Sequence, residues 1–362
     1  SRFILLLMIA LLIMCGFKLS AQEIAGTPLP GQRGVPTNLP DISIIGDITG
    51  SLSSEPAARR ADNLTVREIE IGMQGYLYPE IRADVFFAFH REESGVINAE
   101  LEEAYTSFLS LFGGLNFKLG RMLVDFGKLN KLHSEQWHFI SRPQVLANFL
   151  GGHGLSADGI SLSYLFPLPF FLQWDIGAWK VAGESSSGEP EGTEFEFSLA
   201  DDAYHTRLWV AIPFGEMAEL QLGSSGLIAR GPEFRKQNDL VKIGGLDLTC
   251  QFIISAYQRL KLQTELLNLS RQLATEEVQR RGFYTTAEYG FNKYWNCGLR
   301  YEMTDTLLPE NPAEIMLTGV VFRYLSETTK LRVQYSYNIT TKSGTLLGQL
   351  LFGIGPHSHL MK

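Results

Sequence analysis

Beyond Met14 the chain holds no uncharged apolar run of the roughly 18 residues that a membrane-crossing helix needs. With 19% charged residues and a mean hydropathy of +0.00, it is not a polytopic helical membrane protein. Cysteine is scarce. Cys15, Cys250 and Cys297 share no C-x-x-C spacing, so neither a disulfide framework nor a thiolate metal site is expected. Positive charge is in deficit, with 31 Lys and Arg against 39 Asp and Glu and a net charge of −8, which leaves no basic patch for nucleic acid. Catalytic signatures are missing too: there is no G-x-S-x-G, no H-E-x-x-H and no glycine-rich phosphate loop. Asp84 and His90 would stand about 20 Å apart along a strand, and Asp201 with His205 has no nucleophile beside it, so no enzyme and no cofactor are expected.

What the chain does hold begins with Arg2, the apolar run Phe3 to Met14 and small residues at Ser20 and Ala21, the anatomy of a secretory signal over 1–21. Residues 22–41 are proline-rich and aperiodic and read as a periplasmic linker. Residues 42–356 then run strand after strand, with 357–362 as a tail. Period-2 alternation is clear in several strands: Ala83, Val85, Phe87 and Phe89 alternate with Arg82, Asp84, Phe86 and His90, and Trp295, Cys297, Leu299 and Tyr301 with Asn296, Gly298, Arg300 and Glu302. Charge falls on one face and apolar bulk on the other. In the strand after Pro312 both faces are apolar and neither can be assigned.

Short links at 78–80, 166–169, 213–216, 292–293 and 326–328 alternate with long ones at 125–159, 184–203, 272–280 and 304–312. This is the rhythm of a membrane barrel with periplasmic turns and extracellular loops. The predicted fold is all-β: a closed antiparallel transmembrane barrel of about sixteen strands, at roughly 21 residues per strand. A barrel of that size encloses an aqueous lumen.

The segments IGDITG (45–50), VREIEIGMQGYLYPEIRADVFFAFH (66–90), ELEEAYTSFLSLFGGLNFKLGRMLVDFGKLNKLH (100–133) and RPQVLANFLGGHGLSADGISLSYLFPLP (142–169) carry a resemblance, which returns at LLFGIGPH (350–357). They resemble bacterial outer-membrane porins of the phosphate-selective O and P type, in the branch often labelled zinc-regulated TonB-dependent outer membrane receptor. The resemblance implies a passive pore in the outer membrane of a Gram-negative-type bacterium, assembled by the barrel-assembly machinery in contact with outer-membrane lipid, with a homotrimer as its expected state. It also implies that the long loop 125–159 folds inward and narrows the channel. Neither the zinc word nor the TonB word of that label is expected to carry over, since neither a plug domain nor the chain length for one is expected here.

On that reading Lys128, Lys131, His133, His138, Arg142 and His153 line the constriction, while Arg82, Asp84, Glu103, Lys118, Arg207, Arg300, Glu302 and Arg332 belong to the lumen wall. The wall is acid-rich, and acidic rings favour cations; opposite charges on neighbouring strands are expected to pair. The three loop histidines lack the tight spacing of a structural zinc site, so they are expected to be solvated, and no metal is expected. The expected function is passive diffusion of small polar or ionic solutes. The alternative is a non-conducting receptor or adhesin barrel that docks through its acidic loop 184–203.

Overall fold

The computed structural model describes residues 40–54, 64–91, 96–111, 113–181, 199–231, 239–272, 277–306 and 312–356. The predicted signal, nearly all of the linker, the tail and most of the acidic loop 184–203 lie outside these. Sixteen strands follow one another: β1 (Asp41–Ser53), β2 (Leu64–Tyr78), β3 (Ile81–Arg91), β4 (Ile97–Leu111), β5 (Leu115–Leu123), β6 (Ser156–Leu165), β7 (Phe171–Val181), β8 (Ala200–Phe214), β9 (Ala218–Arg230), β10 (Leu240–Ile253), β11 (Arg259–Gln272), β12 (Glu277–Gly290), β13 (Trp295–Thr304), β14 (Glu314–Tyr324), β15 (Thr329–Asn338) and β16 (Ser343–Ile354). Each pairs antiparallel with its neighbours in sequence, and β1 pairs with β16 from Ile44 opposite Ile354 to Ser53 opposite Thr345. The sheet is therefore a closed barrel with no free edge, the arrangement a strand protein needs in lipid.

Side chains alternate across this wall as the strand pleat requires. Leu119, Leu208, Leu299 and Tyr335 are exposed on the outside, where an apolar belt meets lipid. Arg207, Asp247, Glu265, Arg300 and Arg332 are buried on the inside. Cys250 and Cys297 follow the outward phase and are free thiols.

Toward the long-loop end of β10 to β12 the outer face turns polar. Lys242, Asn268 and Arg281 are exposed there, while Val241, Ile243, Leu267 and Leu269 are buried on the inner face. Charge outside and apolar bulk inside mark wall that has left the lipid and encloses packed chain.

Several predicted ends move. β6 starts at Ser156, not Gly159 or Ile160, because Leu123 pairs with Ser156 and Gly120 with Gly159; these small and polar residues carry no apolar alternation to read. β8 starts at Ala200 instead of Tyr204, across an irregularity between Ala200 and Ala203. Asp41, counted with the linker, opens β1 opposite Gln74. β14 resolves into an outer row, Leu317 and Val321, and an inner row, Val320, Phe322 and Tyr324; the inner row is apolar because Phe139 packs on it.

Two β-bulges sit side by side in the wall. The β3–β4 register shifts between Phe86, opposite Glu103, and Phe87, opposite Leu101, leaving Glu102 as the extra residue. The β1–β2 register shifts at Asp47 and Ile48 and leaves Arg67 extra. A bulge re-aims side chains, and here it sets consecutive residues, Glu102 with Glu103 and Arg67 with Glu68, on the lumen side.

Candidate pore and its inner segment

Between β5 and β6 the chain makes a 32-residue excursion, 124–155, clamped at its base. Val124 N–H donates to the Leu155 carbonyl at 2.9 Å. Asn130, fully buried, completes the clamp: its Nδ2 donates to the carbonyls of Val124 (2.8 Å) and Leu155 (3.2 Å), and its Oδ1 accepts from Leu155 N–H (2.9 Å) and Arg142 Nη2 (2.9 Å). A 3₁₀ turn at Ser134–Gln136 and a short helix α1 (Gln144–Leu150) follow. Pro143 supplies the fixed φ of a helix start, and Gly151 at φ 86° ends it where a side chain would be strained.

The apolar face of α1, Val145, Leu146, Phe149 and Leu150, is buried in one apolar cluster with Trp179, Leu227, Ile243, Leu267, Leu269 and Tyr284 of the wall. The rest of the segment hydrogen-bonds to inward-facing wall residues on many strands. Gly127 N–H donates to Ser225 Oγ (3.1 Å) on β9, Lys128 N–H to Glu265 Oε1 (2.9 Å) on β11 and Gln144 N–H to Glu302 Oε2 (2.8 Å) on β13. Ile140 N–H donates to Gln334 Oε1 (2.7 Å) on β15. In return Arg300 Nη1 donates to the Ser141 carbonyl (2.7 Å), Lys330 to that of Glu135 and Arg332 to that of Trp137. Buried cations thus meet backbone carbonyls, which satisfies them only because the segment lies against the wall.

The eight predicted wall residues are distributed as pairs. Arg82 Nη2 holds Asp84 Oδ1 at 2.7 Å, Arg207 Nη1 holds Asp247 Oδ2 at 2.8 Å and Arg300 Nη2 holds Glu302 Oε1 at 3.2 Å. Lys118 lies 5.0 Å from the centre of the Tyr105 ring, and Arg332 also bonds Gln349. Glu103 instead meets His133. Two of these ion pairs run along a single strand and the third spans an intervening one, where the sequence suggested pairing between neighbouring strands.

The six predicted constriction residues do not converge on one ring. Lys128 and Lys131 share the Trp209 ring, at 4.8 and 5.2 Å from its centre, and Lys128 also bonds Gln221. Burial pushes the Lys128 ammonium down to about 8, while Asp247 pulls it up and Lys131 and Arg207 push it further down. His138 pairs with Glu288. Arg142 is buried inside the segment under Trp137, where it anchors Asn130 and faces no channel; burial lowers its pKa to about 10.

His133 corrects the expectation of solvated histidines. It is buried, with Nε2 3.0 Å from Glu103 Oε2 and Nδ1 3.2 Å from Glu70 Oε2 and 3.5 Å from Glu102 Oε2. Burial disfavours its charge, but hydrogen bonds to Glu102, Glu103 and Glu70 outweigh this and hold the imidazole well above its usual range. His153 is exposed and lies against His90, ring centres 4.8 Å apart. Sequence reasoning missed Glu102, because strict alternation places it opposite Glu103, and Asn130, whose role depends on closing the base of the loop.

No family model matches this chain. A curated relative, an uncharacterized protein of Aquifex aeolicus, is 27% identical over 287 residues, which are 72% of this chain and 57% of that protein, so the chain spans little more than half of its length. Among solved structures, Salmonella typhi OmpF in complex with daunomycin superposes with a TM-score of 0.60 at 9% identity, covering 87% of this chain and 97% of that one. The anion-selective porin of Comamonas acidovorans superposes with a TM-score of 0.58 at 12% identity, covering 87% and 100%. The fold is that of the outer-membrane porins.

Proposed function

We propose that this chain is an outer-membrane diffusion channel for small polar or ionic solutes, narrowed by the segment 124–155. The observation that carries the reading is the set of bonds from this segment to wall residues on β9, β11, β13 and β15, which holds it across the side of the barrel that faces the lumen. Charges in such a confined, low-dielectric space act more strongly on a passing ion than the same charges on an open surface. Two charge regions face each other in character: Lys128 and Lys131 around Trp209, and Glu68, Glu70, Glu102 and Glu103 on β2 and β4. Phosphate selectivity does not carry over from the resemblance, because the wall is acid-rich and acidic rings favour cations; Lys128 and Lys131 supply a local anion attraction that works against it. A homotrimer belongs to the same reading.

Single-channel recording in planar bilayers tests this. The whole chain should conduct, and replacing residues 131–152 by a short Gly-Ser link should raise the conductance and weaken selectivity. Absence of conductance in both proteins overturns the reading.

A second reading, a closed receptor barrel, is favoured by the apolar cluster under α1, which packs part of the lumen without water. Conductance confined to the shortened protein would select it.

A further inference from the structure

Four side chains from three parts of the chain meet at one point inside the wall: Glu70 from β2, Glu102 and Glu103 from β4, and His133 from the inner segment. His133 Nδ1 is 3.2 Å from Glu70 Oε2 and 3.5 Å from Glu102 Oε2. These two separations match edges of a tetrahedron about a zinc-class ion at roughly 2.0–2.1 Å, whose edges are about 3.4 Å, and the three donors all lie within 4.8 Å of one another. The other ring nitrogen, Nε2, is 3.0 Å from Glu103 Oε2. A carboxylate on the far nitrogen is what fixes the tautomer and orientation of a metal-ligating imidazole.

Independent observations point the same way. Glu70 is 2% exposed, and its Oε1 is buried with no hydrogen-bond partner; Glu102 Oε2 is buried with His133 Nδ1 3.5 Å away. A carboxylate oxygen removed from water is costly unless a cation or a proton meets it. Among the described residues no lysine or arginine forms an ion pair with Glu70, Glu102 or Glu103, and even a protonated His133 balances only one of the three. The bulge at Glu102 re-aims that residue to the lumen side beside Glu103; without it Glu102 would point away.

A second group leads outward. Glu68, His90 and His153 bring one ligand atom each within 4.8 Å of one another, and His153 is exposed. His90 Nε2, buried and without a hydrogen bond, is 3.7 Å from Glu100 Oε2 and 3.9 Å from Glu102 Oε1. Glu102 therefore joins the two groups, one oxygen to each.

We propose that a divalent transition-metal cation with affinity for imidazole and carboxylate binds between Glu70, Glu102 and His133, with Glu103 as the positioning carboxylate behind His133. It enters through Glu68, His90 and His153. Imidazole with carboxylates selects a zinc-class ion over magnesium or calcium, which take all-oxygen shells. Three protein donors leave a fourth position for water. The bound ion ties the inner segment to β2 and β4, and this holds whether or not the barrel conducts.

The test is titration of untagged, metal-free, refolded whole protein with Zn²⁺ by calorimetry, with Co²⁺ absorption reporting the ligand geometry. Saturable binding and a tetrahedral-type Co²⁺ spectrum are expected, undisturbed by excess Mg²⁺. His133→Ala and Glu70→Gln should abolish the tight phase, and Glu103→Gln should weaken it roughly 10–100-fold. Each variant is checked for the wild-type strand circular dichroism spectrum; His153→Ala, at an exposed position, is the folding-neutral variant and should slow Zn²⁺ uptake while leaving the affinity of the inner site. No binding to the wild type overturns the proposal. Wild-type affinity in folded His133→Ala and Glu70→Gln does so too.

Discussion

Arg207 reaches Asp247 across an intervening strand. The two lie on β8 and β10, yet Nη1 stands 2.8 Å from Oδ2 and Nη2 3.1 Å from Oδ1, a two-point pair over β9. Gly223 makes room, because a Cβ there would overlap the Asp247 carboxylate. Ser225, the residue opposite Arg207, accepts from its Nη1 at 2.8 Å and also from Gly127 N–H, so the pair is tied to the inner segment.

Breaking that pair is the first prediction. Asp247→Ala leaves Arg207, whose side chain is only 1% exposed, without its counter-charge. Removing one partner of a buried ion pair costs about 3–5 kcal/mol. Gly223→Val should destabilise in the same direction by displacing the carboxylate. Urea unfolding in lipid vesicles, followed by tryptophan fluorescence, measures both; a midpoint equal to the parent's would show that the pair contributes nothing.

The lipid belt gives a second. Leu299, 61% exposed on the outer face, is predicted to cost about 2–4 kcal/mol when replaced by Arg near the bilayer midplane. Asn268→Arg, where the outer face has already turned polar, should be nearly neutral. Equal losses at both sites would mean that the boundary between lipid and water is misplaced.

Packing under α1 supplies a third. Phe149 is 1% exposed within the cluster formed with Trp179, Leu227 and Leu269. Phe149→Ala should cost about 3–5 kcal/mol by lost burial and a residual cavity. On the proposed function it should also raise single-channel conductance or its noise, since the segment then sits loosely; a stability loss with an unchanged trace would separate packing from passage.

The fourth concerns pH. Lys128 releases its proton at about 8 when folded but near 10.4 when unfolded, because burial disfavours the charge. Between those values the unfolded chain binds more protons, so this residue makes stability rise with pH from about 8 and level off near 10.4. Over the lower part of that window the segment loses one positive charge, and reversal potentials should move toward cations. Lys128→Gln should remove the step near pH 8, and a step that persists in the variant would assign it elsewhere.

Most of the barrel was legible because one fact organises it: lipid outside and water or polar chain inside force a period of two. The reading failed where that fact lapses. β14 was ambiguous because its inner residues Val320, Phe322 and Tyr324 face Phe139, not water. The first residues of β6 were invisible because Ser156 and Gly159 pair through backbone alone. Glu102 was missed because a bulge inserts a residue into the count, and no property of the residue itself announces that. His133 looked solvated because its partners, Glu70, Glu102 and Glu103, are distant in sequence; only the return of the inner segment against β2 and β4 brings them together.

The inner row Leu227, Ile243, Leu267 and Leu269 bears on the order of construction. These side chains line a tube, yet water would be a poor filling for that part of it. The sheet cannot curl shut around nothing and admit the segment later without first wetting that row and then drying it. The segment and strands β9 to β11 are expected to order together, which strand-resolved hydrogen exchange during refolding would check.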